Sequence, residues 1–227
     1  MIRRMIRTLL SLAMLLTVLA VSTPADADPQ KKATLQFGPK VGLNFAKIFG
    51  PEVDAPADRK PLLGVAVGGH GFWNVTPWVG VQTEVMYTVQ GNRIVTPTDE
   101  GEVEVKERHN YLQVPVLFRL NLPLPEGIPL TPKLMFGPGF SFWLDGSVER
   151  DAPGGTTERD LDADDDDIET FEFGLIAALG TDIHLGAAAI TFDVRYERGL
   201  TSIIEQPPED APQHNLFSIH GGLTVGF

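Results

Sequence analysis

From about residue 33 to the end of the chain, apolar residues alternate with polar or small ones, and this period of two limits what the chain can become. In "ATLQFGPKVGLNFA" the apolar positions are Leu35, Phe37, Val41, Leu43 and Phe45, set against Gln36, Gly38, Lys40, Gly42 and Asn44. In "VGVQTEVMYTVQ" they are Val79, Val81, Val85, Tyr87 and Val89, against Gly80, Gln82, Glu84 and Thr88. "NYLQVPVLFRLNL", "TPKLMFGPGFSFWL", "FEFGLIAALGTDI", "AITFDVRYERG" and "FSIHGGLTVGF" repeat the contrast. "LLGVAVGGHGFW" is less regular, with Leu63, Val65, Val67 and Trp73 against Gly64, Ala66, Gly68 and His70. A period of two places the two classes on opposite faces of a β-strand, and no helical spacing persists for three turns.

These runs predict eight strands. The stretches between them alternate in length: long at 47–61, short at 74–77, long at 91–107, moderate at 123–130, longest at 145–167, short at 184–188 and long at 200–215. Long connections at one end and short ones at the other are what an antiparallel up-and-down barrel in an outer membrane shows. The expected fold is therefore an all-β, eight-stranded antiparallel up-and-down transmembrane β-barrel.

Alternation alone does not say which face is outside, because a soluble eight-stranded barrel turns its apolar face inward. Residue size separates the two. The polar face is rich in glycine and alanine, including Gly38, Gly42, Gly64, Gly68, Gly137, Gly180 and Gly222. Glycine weakens a strand and gains nothing on a solvated surface, whereas it fits the cramped lumen of a small barrel. The apolar face is bulky and nearly free of charge, as a lipid-facing band requires, since Arg or Lys at the midplane costs roughly 2–4 kcal/mol. Phe45, Trp73, Tyr87, Tyr111 and Tyr196 are candidates for interfacial girdles.

The first residues belong to a different plan. Arg3, Arg4 and Arg7 precede an apolar run from Leu9 to Val21, followed by "STPADA" with Ala25-Asp26-Ala27 as a small-x-small site. This is the layout of a secretory signal peptide over 1–27, which leaves 28–227 as the barrel domain. This thirteen-residue run falls short of the roughly 20 that a spanning helix needs. The chain has 18 basic and 30 acidic residues and a net charge of −12, which excludes the basic footprint of a nucleic-acid binder. It contains no cysteine, so no thiolate metal site or disulfide is available.

Taken together, "KVGLNFA", "VGVQTEVMYTVQG", "NYLQVPVLFRLNL", "LMFGPGFSFWL" and "FDVRYERGLTSI" resemble the PorT-like outer-membrane β-barrel family in order and approximate spacing. The resemblance implies a Gram-negative outer-membrane location and an eight-stranded barrel with both termini in the periplasm. It implies no single activity, because the family includes a type IX secretion component and many members of undefined role.

Three constellations carry chemistry. Lys40, Arg119, Lys133 and Arg195 share the inward face with Glu84, Glu172, Asp182, Asp193 and Glu197, and they predict a barrel-interior charge network that fixes register. "RDLDADDDDIE" holds Asp160, Asp162, Asp164, Asp165, Asp166, Asp167 and Glu169, hard oxygen ligands of the type that Ca²⁺ takes. EF-hand spacing fails there, and a solvated acidic loop is the competing reading. Ser218 and His220 stand two apart on one face, in the reverse of the His-x-Ser order that lipid A deacylases of similar size use.

The reading that follows is a non-enzymatic outer-membrane protein with a structural or interaction role, in secretion or assembly, through its loops or turns. A small-solute porin-type channel is the alternative, and a lipid A-modifying acyl hydrolase is the remote one. No cofactor motif is present. The expected partners are outer-membrane lipid, an envelope protein, and the barrel-insertion machinery, for which the terminal Phe227 would serve as signal.

Overall fold

In the computed structural model the described residues are 35–49, 58–98, 101–125, 127–163, 168–201 and 213–226. The expected signal peptide at 1–27 lies outside them, as do Phe227 and Asp164 to Asp167. Nine strands form: β1 Leu35–Phe49, β2 Asp58–Asn74, β3 Val79–Thr98, β4 Gly101–Asn121, β5 Leu130–Ala152, β6 Gly155–Leu161, β7 Phe171–Leu185, β8 Ala188–Gly199 and β9 Gln213–Gly226. All the pairings are antiparallel. Eight strands close into a ring in the order β1-β2-β3-β4-β5-β7-β8-β9, with β9 returning to β1. Closure gives each ring strand a partner on both sides, the condition for backbone to survive in hydrocarbon.

The alternation decides the two faces. Val41, Leu63, Leu134, Phe136, Leu175, Leu179 and Leu223 point out and are exposed, while their even or odd counterparts are buried in the lumen. On the outside, aromatic pairs mark the register: Phe118 against Phe136, Phe142 against Phe171 and Phe140 against Phe173, with ring centroids 5.1, 5.4 and 5.6 Å apart. Such cross-strand pairs add to register without relying on a hydrophobic effect that lipid does not supply.

The short connections, at residues 75–78, 122–129 and 186–187, share one end of the ring with the start of β1 and the end of β9. By the rule that short turns face the periplasm, the opposite end is extracellular.

Two stretches expected as loops are strand instead. β3, β4 and β5 run for 20, 21 and 23 residues, about twice the roughly 9–11 that a tilted strand needs to cross a bilayer. Their far halves continue past the apolar band, and β6 folds back on β5 through Pro153 and Gly154. With the start of β2, they raise a one-sided sheet in the order β2-β3-β4-β5-β6 above the ring. β6 is thus a ninth strand outside the ring, and most of the stretches 91–107 and 145–167 is ladder. The sequence hid this because the overhang alternates charges with small apolar residues, in place of the bulky lipid-facing set.

Candidate functional site in the lumen and the overhanging sheet

Inside the ring, long side chains are seated against glycines. Lys40 of β1 has Gly68 of β2 and Gly222 of β9 as its register neighbours. Lys133 faces Gly180, whose added Cβ would lie 2.9 Å from the Lys133 Cε. His220 lies over Gly42, whose added Cβ would fall 3.0 Å from its ring. Large residues beside missing ones let a narrow lumen fill without strain.

Seven of the nine expected interior charges meet in one network at the middle of the barrel. The Lys40 Nζ lies 3.0 Å from Glu84 and 2.6 Å from Asp193. Arg195 donates to both Glu84 oxygens, at 2.6 and 2.8 Å, and also to Asp193. Lys133 lies 2.6 Å from Asp182 and donates to Thr191, and Arg119 donates to Asp182 as well. Gln82 joins the two halves: its amide nitrogen donates to Glu84 at 2.6 Å and its oxygen accepts from Arg119 at 3.2 Å. Arg119 also donates to Asn121 at 2.8 Å and stacks over the Phe72 ring at 3.9 Å.

Glu172 and Glu197 stand nearer the extracellular end, apart from this network. Tyr111 donates to Glu172 at 2.6 Å, and Gln113 donates to Glu197 at 2.7 Å. Between them lies a cavity of about 10 Å³ lined by Gln90, Ser141, Glu172, Glu197 and Leu216. That is room for about a single water. Tyr111 is fully buried and points inward, so it does not belong to a rim girdle. Trp73 and Tyr196 do lie exposed on the outer face.

The lumen is also more apolar than alternation suggests. Leu117, Met135, Ile176 and Ala178 form a buried cluster, and Phe72 and Met86 are buried beside the charges. The signal was present in "VLFRL" and "LMFG", where apolar residues occupy both parities, so one of each pair had to face inward.

Ser218 and His220 are hydrogen-bonded at 3.0 Å, yet both are buried inside the ring, and among the described residues Nδ1 of His220 has no hydrogen-bond partner. A nucleophile–base pair needs a third group to orient the base and a route for substrate. Among the described residues this pair lacks the orienting contact, and both side chains are buried. His70 is held at 2.9 Å from Thr224. Of the acidic run, Asp160 sits on β6 and Asp162 just past it. Among the described residues, no three His, Asp or Glu side chains are grouped to hold a metal ion.

On the overhang, the outer face carries its own ion-pair row across three strands. Glu104 of β4 meets Arg93 of β3 at 2.5 Å and Lys106 at 3.3 Å, and Lys106 meets Glu149 of β5 at 2.9 Å. The hydrogen bond from Arg93, and then Lys106, holds the Glu104 carboxyl below its ordinary value of 4.5. Hydrogen bonds to Glu149 and Glu104 raise Lys106 above 10.5.

The closed ring, its lipid-facing band and its packed lumen define a small transmembrane β-barrel with a filled interior. The chain belongs to the outer membrane protein beta-barrel domain family, whose sequence model matches residues 25–205, and it is an outer-membrane protein of Gram-negative type. No curated protein matches its sequence. Among solved structures it is similar to the outer membrane protein OprG from Pseudomonas aeruginosa, at 11% identity and TM-score 0.49, covering 88% of this chain and 98% of that one. It is similar also to Neisserial surface protein A, at 13% identity and TM-score 0.43, covering 84% and 97%. A third is Ail, the attachment invasion locus protein of Yersinia pestis, at 10% identity and TM-score 0.40, covering 86% and 100%.

Proposed function

We propose that this protein is a non-enzymatic binding protein of the outer membrane, with the overhanging sheet as its working surface and the barrel as its mount. The observation that carries this reading is the state of the lumen. The side chains of Lys40, Glu84 and Asp193 have no solvent exposure, and those of Arg119, Arg195, Lys133 and Asp182 have 5% or less. A solute crossing the ring would have to break ion pairs shared by six strands. Porin-type conduction belongs to barrels wide enough to leave an aqueous path. The strands, by contrast, invest about half of their length in β3, β4 and β5 outside the apolar band, where only a water-borne partner is met.

Planar-bilayer recording of the purified, folded protein tests the reading. The expected result is a silent membrane. Steady large openings would replace this reading with that of a small-solute channel. A structural role in secretion or assembly is one form of the same proposal, and affinity capture from outer membranes would name the envelope partner.

A further inference from the structure

We infer that the open edge of β6 takes an extended, lysine- or arginine-bearing segment of another protein as an added antiparallel strand. The inference rests on the overhanging sheet being the working surface, and it names the partner that surface would hold.

The described residues leave this edge open. Among the described residues β6 pairs with β5 alone, and six of its seven residues, Gly155 to Asp160, are exposed. Its register against β5 runs without a bulge from Ala152↔Gly155 to Gly146↔Leu161, and it contains no proline. Ala152 and Gly155 flank the two-residue turn, so they form a hydrogen-bonded pair. In an antiparallel ladder such pairs alternate with pairs that are not hydrogen-bonded. Thr157, Arg159 and Leu161 therefore turn their main-chain groups toward β5. Thr156, Glu158 and Asp160 turn theirs to the open side. The sheet's other edge is different: the start of β2 pairs with β3 over only Asp58 to Pro61, and it ends on a residue without an N–H. A short edge that carries proline is blunted against strand addition, whereas β6 lacks both of those devices.

Charge selects the occupant. Thr156, Glu158 and Asp160 share one face of the sheet with their partners Asp151, Glu149 and Ser147. Glu149 is engaged by Lys106, and Asp151 accepts from Thr156 at 2.9 Å. Glu158 and Asp160 make no ion pair with a described residue, and Glu158 stands opposite Glu149, a like-charge pair that costs stability until a cation joins it. An added strand would place alternate side chains directly beside Glu158 and Asp160. Lysine or arginine at those positions would relieve the repulsion. A second copy of this chain fits badly. Antiparallel pairing of β6 with itself about Glu158 would set that glutamate against its own copy and add further repulsion.

The test uses the full protein folded in detergent and two fluorescent nine-residue peptides of equal charge. One alternates lysine with threonine; the other has the same sequence with every lysine main-chain nitrogen methylated, so that the residues beside Glu158 and Asp160 cannot supply the main-chain donors. The unmethylated peptide should bind at least about tenfold tighter, a gap of about 1.4 kcal/mol. The amides of Thr156, Glu158 and Asp160 should gain hydrogen-exchange protection when it binds. Glu158→Pro removes an open-side N–H and no bond to β5, and it should weaken binding about tenfold or more. Glu158→Gln, which removes only charge, should weaken it less. Because exchange is read on the unaltered protein, misfolding of the proline variant would leave the test intact. Equal binding of the two peptides, or binding without protection of those amides, would reduce the effect to charge attraction and overturn strand addition. No binding at all, with bilayers silent, would sink this inference and leave the binding-protein reading standing. Steady conductance would sink the reading beneath it.

Discussion

Arg195 and Glu84 are 111 positions apart in sequence and meet in two hydrogen bonds, 2.6 and 2.8 Å long, inside the ring. Their strands, β8 and β3, are diametrically opposite in the ring order. A contact of this kind ties the two halves of the barrel together and opposes ovalisation as well as slippage between neighbours. Glu84 also holds Lys40 and accepts from Gln82. Replacing it would leave two buried cations with half their compensation. Glu84→Ala is expected to destabilise the folded barrel by about 3–5 kcal/mol, the cost of breaking a buried pair from one side. Urea unfolding in detergent micelles measures this, and a loss below about 1 kcal/mol would mean that water enters the site and replaces the carboxylate.

The inward glycines give a second, sharper prediction. A Cβ added at Gly38 would fall 1.8 Å from the carbonyl oxygen of Leu223, and one at Gly64 would fall 1.9 Å from that of Val89. Backbone cannot move aside cheaply at either place. At Gly69, on the lipid side, the nearest atom is 3.4 Å away. Gly38→Ala and Gly64→Ala should sharply lower the fraction of protein that shows heat-modifiable gel migration. Gly69→Ala should leave it unchanged, with stability within about 0.5 kcal/mol of the parent. Equal behaviour of all three would show that the ring widens to admit a methyl group.

Much of this architecture is legible in the sequence, and the reasons for the rest are physical. A period of two sorts residues by face wherever one face meets lipid, so the odd positions of β1 and the even positions of β8 could be placed without coordinates. Glycine beside Lys40 and Lys133 marked the cramped side. The partners of those lysines were not legible, because a pairing such as Arg195 with Glu84 depends on ring closure and stagger, which no local pattern encodes. Tyr111 was misread for a related reason: it stands next to Leu112 in a run where both residues are apolar, and only the register with Trp143 places it inward. The overhang was missed because Glu104, Lys106 and Glu149 alternate with small apolar residues in the same way that a polar loop can.

The ion-pair row on the overhang makes its order depend on pH. Glu104 titrates below its ordinary value because Arg93 and Lys106 favour its charged form. Its contribution to stability is thus complete above that ordinary value and is lost as pH falls through the lowered one. Lys106 is shifted upward, so its contribution is complete below 10.5 and is lost as pH rises through the raised value. The amides of Arg93 to Val95 and of Glu104 to Lys106 should keep constant protection from roughly pH 5 to pH 10 and lose it at lower pH, before the barrel strands do. Hydrogen exchange corrected for intrinsic rates reads this directly. Loss of protection in the barrel strands at the same pH would indicate that the overhang and the ring unfold together.

The last strand carries a prediction about assembly. β9 closes the ring: Val225 pairs with Ala188 and Phe37, and Gly226 pairs with Gln36 and donates to the carbonyl of Ala187. Phe227 follows on the lipid-facing parity of Val225 and Leu223. We propose it as the signal for the insertion machinery; it lies outside the described residues. Removing it deletes no pairing that β9 makes with β1 or β8 up to Gly226, so the finished barrel should tolerate the loss. Delivery is a different matter, because the closing strand must be recognised before the ring exists. Deleting Phe227, or adding a polar tail after it, should lower the amount of heat-modifiable protein in the outer membrane in cells, while the purified variant refolds in detergent to the parent's yield. Full insertion of the deletion in cells would remove the signal role, and failed refolding in detergent would make the residue structural.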